Sequence, residues 1–98
     1  MGYDGMVLTM VNVGFRNFVV GERIIAVVDS DSAPMRRLVQ ERRKNGYLID
    51  TTHGRRTKSV IFIDSGQLIA SALTQETVAK RMSGTELALE SIEETEAE

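Results

Sequence analysis

The run Val60-Ile61-Phe62-Ile63 constrains this chain more than any other stretch. Successive residues of a β-strand point to opposite faces, so a strand with no polar residue must be covered on both. It belongs to a hairpin. Ser59 to Ile63 and Gln67 to Leu73 flank Asp64-Ser65-Gly66, a short connection with a glycine available for the turn. The chain has 98 residues, the size of one domain. A domain this small buries only roughly 60–65% of the surface that its unfolded chain exposes. A strand covered twice in so little chain is expected to draw its second cover from a subunit interface.

The rest of the chain divides at glycines and polar clusters. Met6 to Val13 is mostly apolar on both alternating faces, and this first strand is likewise expected to be covered on both. Gly14-Phe15-Arg16-Asn17 reads as a turn and Phe18 to Val20 as a second strand. Gly21-Glu22 breaks it, and Arg23 to Val28 is a third strand. Ser32 is the expected N-cap of a helix, with Pro34 in its first turn, where a missing N–H costs nothing, and Gly46 closing it at C′. Met35, Leu38 and Val39 form its apolar stripe. Arg36 and Arg43 lead a basic face, with Arg37 at its edge. Arg42 falls inside the stripe and is expected to snorkel along the core or to pair across a subunit boundary. Tyr47 to Asp50 is a fourth strand.

Thr74 caps a second helix, Gln75 to Ser83. Leu73 and Val78 are placed as a hydrophobic staple, and Val78, Ala79 and Met82 as its apolar edge. Gly84 ends it. The order βββαβββα predicts one small α+β domain over 6–84, a mostly antiparallel sheet with two helices. A loose leader at 1–5 precedes it and an acidic, disordered tail at 85–98 follows.

Charge is segregated along the chain. Residues 1–84 carry all 12 Lys and Arg against eight Asp and Glu, a surplus of four positive charges. Residues 85–98 carry six Glu and no base, and the two together give the net charge of −2. A mildly basic body with an acidic tail changes which partners are plausible, an anionic one among them. The tail either competes with that partner or keeps a basic assembly soluble. Met1-Gly2-Tyr3-Asp4-Gly5 has no basic region, and no export-type apolar segment follows, so a cytoplasmic protein is expected. The apolar runs are too short to span a membrane.

Chemistry-bearing motifs are scarce. The chain has one His and no Cys, and it lacks GxSxG, HExxH, Walker A and GxGxxG patterns. Asp29, Asp31, Asp50 and Asp64 are the carboxylates that could make an acid–base or metal site, but Asp29 and Asp31 read first as turn and capping residues and Asp64 as a hairpin residue. His53 has no second ligand beside it. No enzyme activity, cofactor or metal is therefore expected.

What remains is the polar loop Asp50-Thr51-Thr52-His53-Gly54-Arg55-Arg56-Thr57-Lys58. It reads either as a solvated turn or as an anion site. For the second reading, Arg offers phosphate a planar two-pronged donor, Gly54 lets backbone N–H groups approach, and Thr51, Thr52 and Thr57 add hydroxyls. Arg36 and Arg43 on the helix are candidates for a second basic group beside it. The loop carries no aromatic platform of its own, which argues against single-strand binding by stacking.

Several ordered motifs carry a resemblance. They are Asn12-Val13-Gly14-Phe15-x-Asn17, Glu22-Arg23-Ile24-Ile25, Ser32-Ala33-Pro34-x-Arg36-Arg37, Gly46-x-Leu48-Ile49-Asp50-x-Thr52-x-Gly54-Arg55-Arg56-Thr57 and Gln75-Glu76-Thr77-Val78-Ala79. Together they span about residues 6–83, and the chain resembles the RemA family, small bacterial regulators of extracellular-matrix (biofilm) genes. The resemblance implies a nucleoid-associated regulator that binds double-stranded DNA as a homo-oligomeric ring of about seven or eight subunits, a closed assembly. It implies that Arg23, Arg55 and Arg56 contact DNA and that Pro34 serves the fold or the assembly; the residue pattern itself adds Lys58 and Arg36 to the expected contacts and Arg42 to the expected assembly residues. Two positions depart from the pattern: Arg16 stands where Gly is expected, and His53 where Tyr is common. The rival expectation is a structural or protein-interaction ring whose basic face docks an acidic partner. A sensor of phosphorylated small ligands is a third.

Overall fold

A computed structural model describes residues 8–83. The leader and the acidic tail lie outside them. Two strands, β1 (Met10–Asn12) and β2 (Phe18–Val20), pair antiparallel as a hairpin. A 3-10 turn at Gly21–Arg23 leads to β3 (Ile24–Asp29). Helix α1 (Ala33–Lys44) follows, then β4 (Leu48–Asp50), β5 (Ser59–Ile63), β6 (Leu68–Ser71) and α2 (Gln75–Ser83). The second sheet has the order β3-β5-β6-β4. Its β3–β5 and β5–β6 pairs are antiparallel, and β4 runs parallel to β6. The expected α+β domain is thus present, with one parallel edge strand that the element order alone does not reveal.

Helix ends follow their local chemistry. The Ser32 hydroxyl accepts a hydrogen bond from the Met35 N–H at 3.2 Å, and Pro34 sits in the first turn. At the other end Gly46 adopts φ +80. The Gly46 N–H donates to the Arg43 carbonyl and the Tyr47 N–H to the Arg42 carbonyl, a Schellman closure that a residue without Cβ makes at least cost. Thr74 Oγ1 accepts from the Thr77 N–H and opens α2, as expected.

The doubly apolar β5 is covered from within the chain. Val60 packs with Val39 and Leu68 under α1, against Met35, Leu38, Leu48 and Phe62. Ile61 faces the other way, into Val11, Val13, Ile69, Leu73 and Val78 from the β1–β2 hairpin, β6 and α2. The expectation that a subunit interface supplies the second cover is therefore corrected. The hairpin and α2 fold back over the face opposite α1 and form a third layer. Leu73 and Val78 are fully buried together, as a staple requires.

Two sequence expectations fail at the surface, each for its own geometric reason. β1 is covered on one side: Val11 and Val13 are buried, while Leu8 and Met10 are each 55% exposed, because the hairpin is an outer layer. On α2, Ala79 is exposed and Arg81 is buried, with its guanidinium donating to the Asn12 carbonyl at 2.9 Å. The long Arg side chain reaches across to β1, where the one carbon of Ala cannot.

Large apolar side chains remain exposed at both lateral edges of the molecule. Ile25 on β3 lies at one edge of the four-stranded sheet and Tyr47 and Ile49 at β4 on the other, while Leu8, Met10 and Phe18 are exposed on the outer hairpin. No helix among the described residues is long and apolar enough to cross a membrane.

Candidate functional site

Strand order decides where the basic loop goes. β4 lies beside β6, but the next strand in the chain, β5, lies on the far side of β6. The connection 51–58 must therefore pass over the C-terminal end of β6, and it is pinned there. Thr51 donates from its backbone N–H (3.0 Å) and its hydroxyl (2.7 Å) to the Ala70 carbonyl, and the Lys58 N–H donates to the Ser71 carbonyl at 2.8 Å. Asp29 is in register with Ser59, so β3 ends and α1 begins at this same end of the sheet. Ser30 donates from its N–H to the Lys58 carbonyl and from its hydroxyl to the Thr57 carbonyl. The β1–β2 turn arrives as well. The Phe15 ring lies 5.1 Å from the His53 ring, and the Arg55 guanidinium sits 5.6 Å from the Phe15 centroid, over its face.

Within the loop, Asp50 Oδ1 accepts from the Thr52 N–H (2.9 Å) and the Thr52 hydroxyl (2.6 Å), an Asx-type turn. The Arg55 N–H donates to the Thr52 carbonyl. His53 and Gly54 follow at φ 57 and φ 84, both left-handed. Two such residues in succession reverse the chain and leave His53, Gly54, Arg55 and Arg56 exposed. Burial pushes the Asp50 carboxyl up, but the Thr52 hydroxyl and N–H, then the Arg43 guanidinium, outweigh it and hold the group below its ordinary value of 3.8. Thr51 and Thr52 are buried and spend their hydroxyls inside the fold, so their expected role as anion donors is corrected.

The structure gathers most of the expected site residues at this loop end. Arg55, Arg56 and Lys58 are exposed on the loop, and Arg36 is exposed in the first turns of α1. Among the described residues no acidic side chain pairs with Arg56 or Lys58. Arg36 meets Asp31 at 3.2 Å and Arg43 meets Asp50 at 3.4 Å. Arg42 is half-buried and has an in-chain partner, Glu41, at 3.7 Å. Pro34 is exposed on the helix.

Arg23 is elsewhere. Its Nε donates to both carboxylate oxygens of Asp64, at 2.9 and 2.8 Å, and its carbonyl accepts from the Asp64 N–H. Asp64 follows β5, whereas the basic loop precedes it. At about 3.3 Å per residue, β5 separates Arg23 from the loop arginines by roughly 15–20 Å.

Two residues at the loop end had no role in the sequence reading. Phe15 supplies the aromatic surface that the loop itself lacks. Arg16 is an exposed cation on the adjoining turn at φ 65, a left-handed position where glycine would be unstrained. That conformation explains why glycine is the expected residue there, and the departure from glycine was the available signal. Among the described residues no group of three His, Cys, Asp or Glu is placed to hold a metal ion.

Comparison with known proteins adds the lineage. A family model for RemA-like proteins, described as extracellular matrix regulatory protein A-like, matches residues 10–82. A protein of Halothermothrix orenii that bears a regulatory-protein name is 52% identical over 79 residues, covering 81% of this chain and 94% of its own length. One from Synechococcus elongatus is 53% identical over 77 residues, covering 79% of this chain and 88% of its own. One from Symbiobacterium thermophilum is 44% identical over 91 residues, covering 93% and 96%. Both also bear regulatory-protein names.

Proposed function

The chain belongs to the RemA-like family, and from that premise we propose that it is a DNA-binding transcriptional regulator of extracellular-matrix genes. The observation that carries this reading is the convergence at one end of the sheet. Arg55, Arg56, Lys58 and Arg36 come from two segments far apart in sequence, and two of these cations have no acidic partner among the described residues. Exposed, unneutralised guanidinium and ammonium groups suit phosphate, and phosphate contacts supply affinity without reading base sequence.

In this reading the regulator acts as a ring of about seven or eight subunits, the closed assembly that a head-to-tail contact gives when its rotation closes. Supporting this, exposed apolar side chains lie on two different edges of the four-stranded sheet, Ile25 on one and Tyr47 with Ile49 on the other. One edge docking on the other buries both. Each subunit then contributes a few phosphate contacts, and repetition raises the affinity by orders of magnitude. DNA that bends easily binds best, by indirect readout. Arg23 belongs to the same DNA path. At about 3.4 Å per base pair, a duplex covers the roughly 15–20 Å between Arg23 and the loop in about four to six base pairs.

A salt-titrated shift assay with wild type and Arg55→Ala tests the reading, alongside light scattering with and without duplex. Steep loss of affinity with salt and loss of binding in the variant at unchanged oligomer mass are expected. Wild-type affinity in Arg55→Ala would overturn the site assignment. An assembly that forms but binds no duplex would point to an acidic protein partner instead.

A further inference from the structure

An open cleft of about 250 Å3 lies between α1 and the β4–β5 loop. Arg36 and Arg43 line it from the helix, Arg56 and Thr57 from the loop, and nearly buried Val39 gives it an apolar wall. Asp31 lines it too. Three guanidinium groups around so small a space repel one another unless an anion sits between them. The protein's own carboxylates neutralise them incompletely. Arg36 touches Asp31 through one contact at 3.2 Å and Arg43 touches Asp50 through one at 3.4 Å. Thr52 holds Asp50 Oδ1 at 2.6 and 2.9 Å, while Arg43 meets the other oxygen, Oδ2, only at the longer 3.4 Å. Arg56 has no acidic partner among the described residues. By contrast, Arg23 holds Asp64 with two contacts of 2.8 and 2.9 Å.

We propose that this cleft is a binding site for a single phosphate or pyrophosphate group. Its volume equals that of about eight water molecules at roughly 30 Å3 each, which is room for that anion. It also lies below the about 300–1,000 Å3 of pockets that enclose whole organic ligands. The group comes either from a phosphorylated small molecule or from the DNA backbone. The second source rests on the DNA reading above, and the first does not. If a small molecule supplies it, Arg36 and Arg56 are shared between ligand and DNA, and the two exclude each other.

The test uses the full chain, with pyrophosphate as the probe in titration calorimetry and a duplex in a shift assay. Arg43→Gln removes a cleft guanidinium. Arg37→Gln removes the same charge from α1 outside the cleft, and circular dichroism checks that both variants fold. Arg43→Gln is expected to weaken pyrophosphate at least about tenfold, as loss of a charged hydrogen bond does, and Arg37→Gln to leave it within about twofold. Asp31→Asn frees Arg36 and removes a repelling charge, so it is expected to tighten pyrophosphate.

If DNA is the source, Arg43→Gln also lowers duplex affinity and reduces the salt slope by about one. If a small molecule is the source, Arg43→Gln alone leaves duplex affinity unchanged, and pyrophosphate displaces the duplex from wild type but not from the variant. A protein that binds no duplex but binds pyrophosphate through Arg43 overturns the DNA reading and upholds the cleft. The cleft is overturned if Arg43→Gln and Arg37→Gln behave alike toward both pyrophosphate and duplex.

Discussion

Each end of the four-stranded sheet presents exposed arginine, yet the two ends differ in what the guanidinium touches. At the loop end, Arg55 lies over the Phe15 ring and Arg56 and Lys58 have no acidic partner among the described residues. At the opposite end, Arg23 is held by both oxygens of Asp64. A stretch of sequence counts all of them as equal positive charges. The difference shows that a basic patch is defined by the carboxylates it lacks as much as by the arginines it has. Arg23 still suits a contact with phosphate, because an exposed ion pair is worth only about 0–1 kcal/mol and is exchanged at little cost.

The widest gap between the two ends is expected from deleting the loop cations. Arg55→Ala combined with Arg56→Ala should lower duplex affinity by more than about 100-fold at low salt, since in the proposed ring the loss repeats in every subunit. The oligomer mass should be unchanged by light scattering.

Next in size is Thr52→Ala, which leaves the arginines in place and loosens the loop that presents them. A hydrogen bond to a charged group contributes about 1.5–3 kcal/mol, and denaturant unfolding reads its loss. The effect depends on pH with a definite sign. The Asp50 carboxyl titrates below its ordinary 3.8 in the folded protein. Its contribution is therefore full above the unfolded value and disappears as pH falls through the lower folded value. Wild type should lose more stability than Thr52→Ala on acidification below about pH 4. Equal losses would show that the Asx turn does not govern this group.

The opposite end is examined by Asp64→Asn, which removes the carboxylate charge that holds Arg23. If Arg23 lies on the DNA path, duplex affinity should rise about threefold in a shift assay, the size of one exposed ion pair. Wild-type duplex affinity in Arg23→Ala would remove Arg23 from the interface. The smallest effect belongs to Arg16→Gly. A left-handed conformation costs an ordinary residue about 1–2 kcal/mol, and glycine gives part of that back as unfolded-state entropy. Stability should rise by at most about 1 kcal/mol, with a modest loss of duplex affinity if the Arg16 cation contributes.

Much of the fold was legible in the residues. Ser32, Pro34 and Gly46 bound α1 because caps and closures are local chemistry, decided within a few residues. Asp64-Ser65-Gly66 marks the β5–β6 hairpin for the same reason, and the Gly66 N–H closes it on the Ile63 carbonyl. The second cover of β5 was not legible. Nothing in Val11, Val13 or Val78 says that they will meet Ile61 rather than a neighbouring subunit. The site divides in the same way. Arg55, Arg56 and Lys58 stand out by their neighbours in sequence, whereas Phe15 reaches them across 38 positions from His53 and has no local mark.

The sequence by itself determined the element types, the helix ends, the charge segregation and a basic loop between two strands. Those follow from side-chain periodicity and from conformational preferences that act over one turn. The tertiary structure decided which cations act together. Placing β5 on the far side of β6 sends the loop over the strand ends and into contact with the start of α1 and the β1–β2 turn. The same strand order puts Arg23 at the other end, against Asp64. Strand order is fixed by burial summed over the whole sheet, a quantity to which no single stretch of residues holds the key.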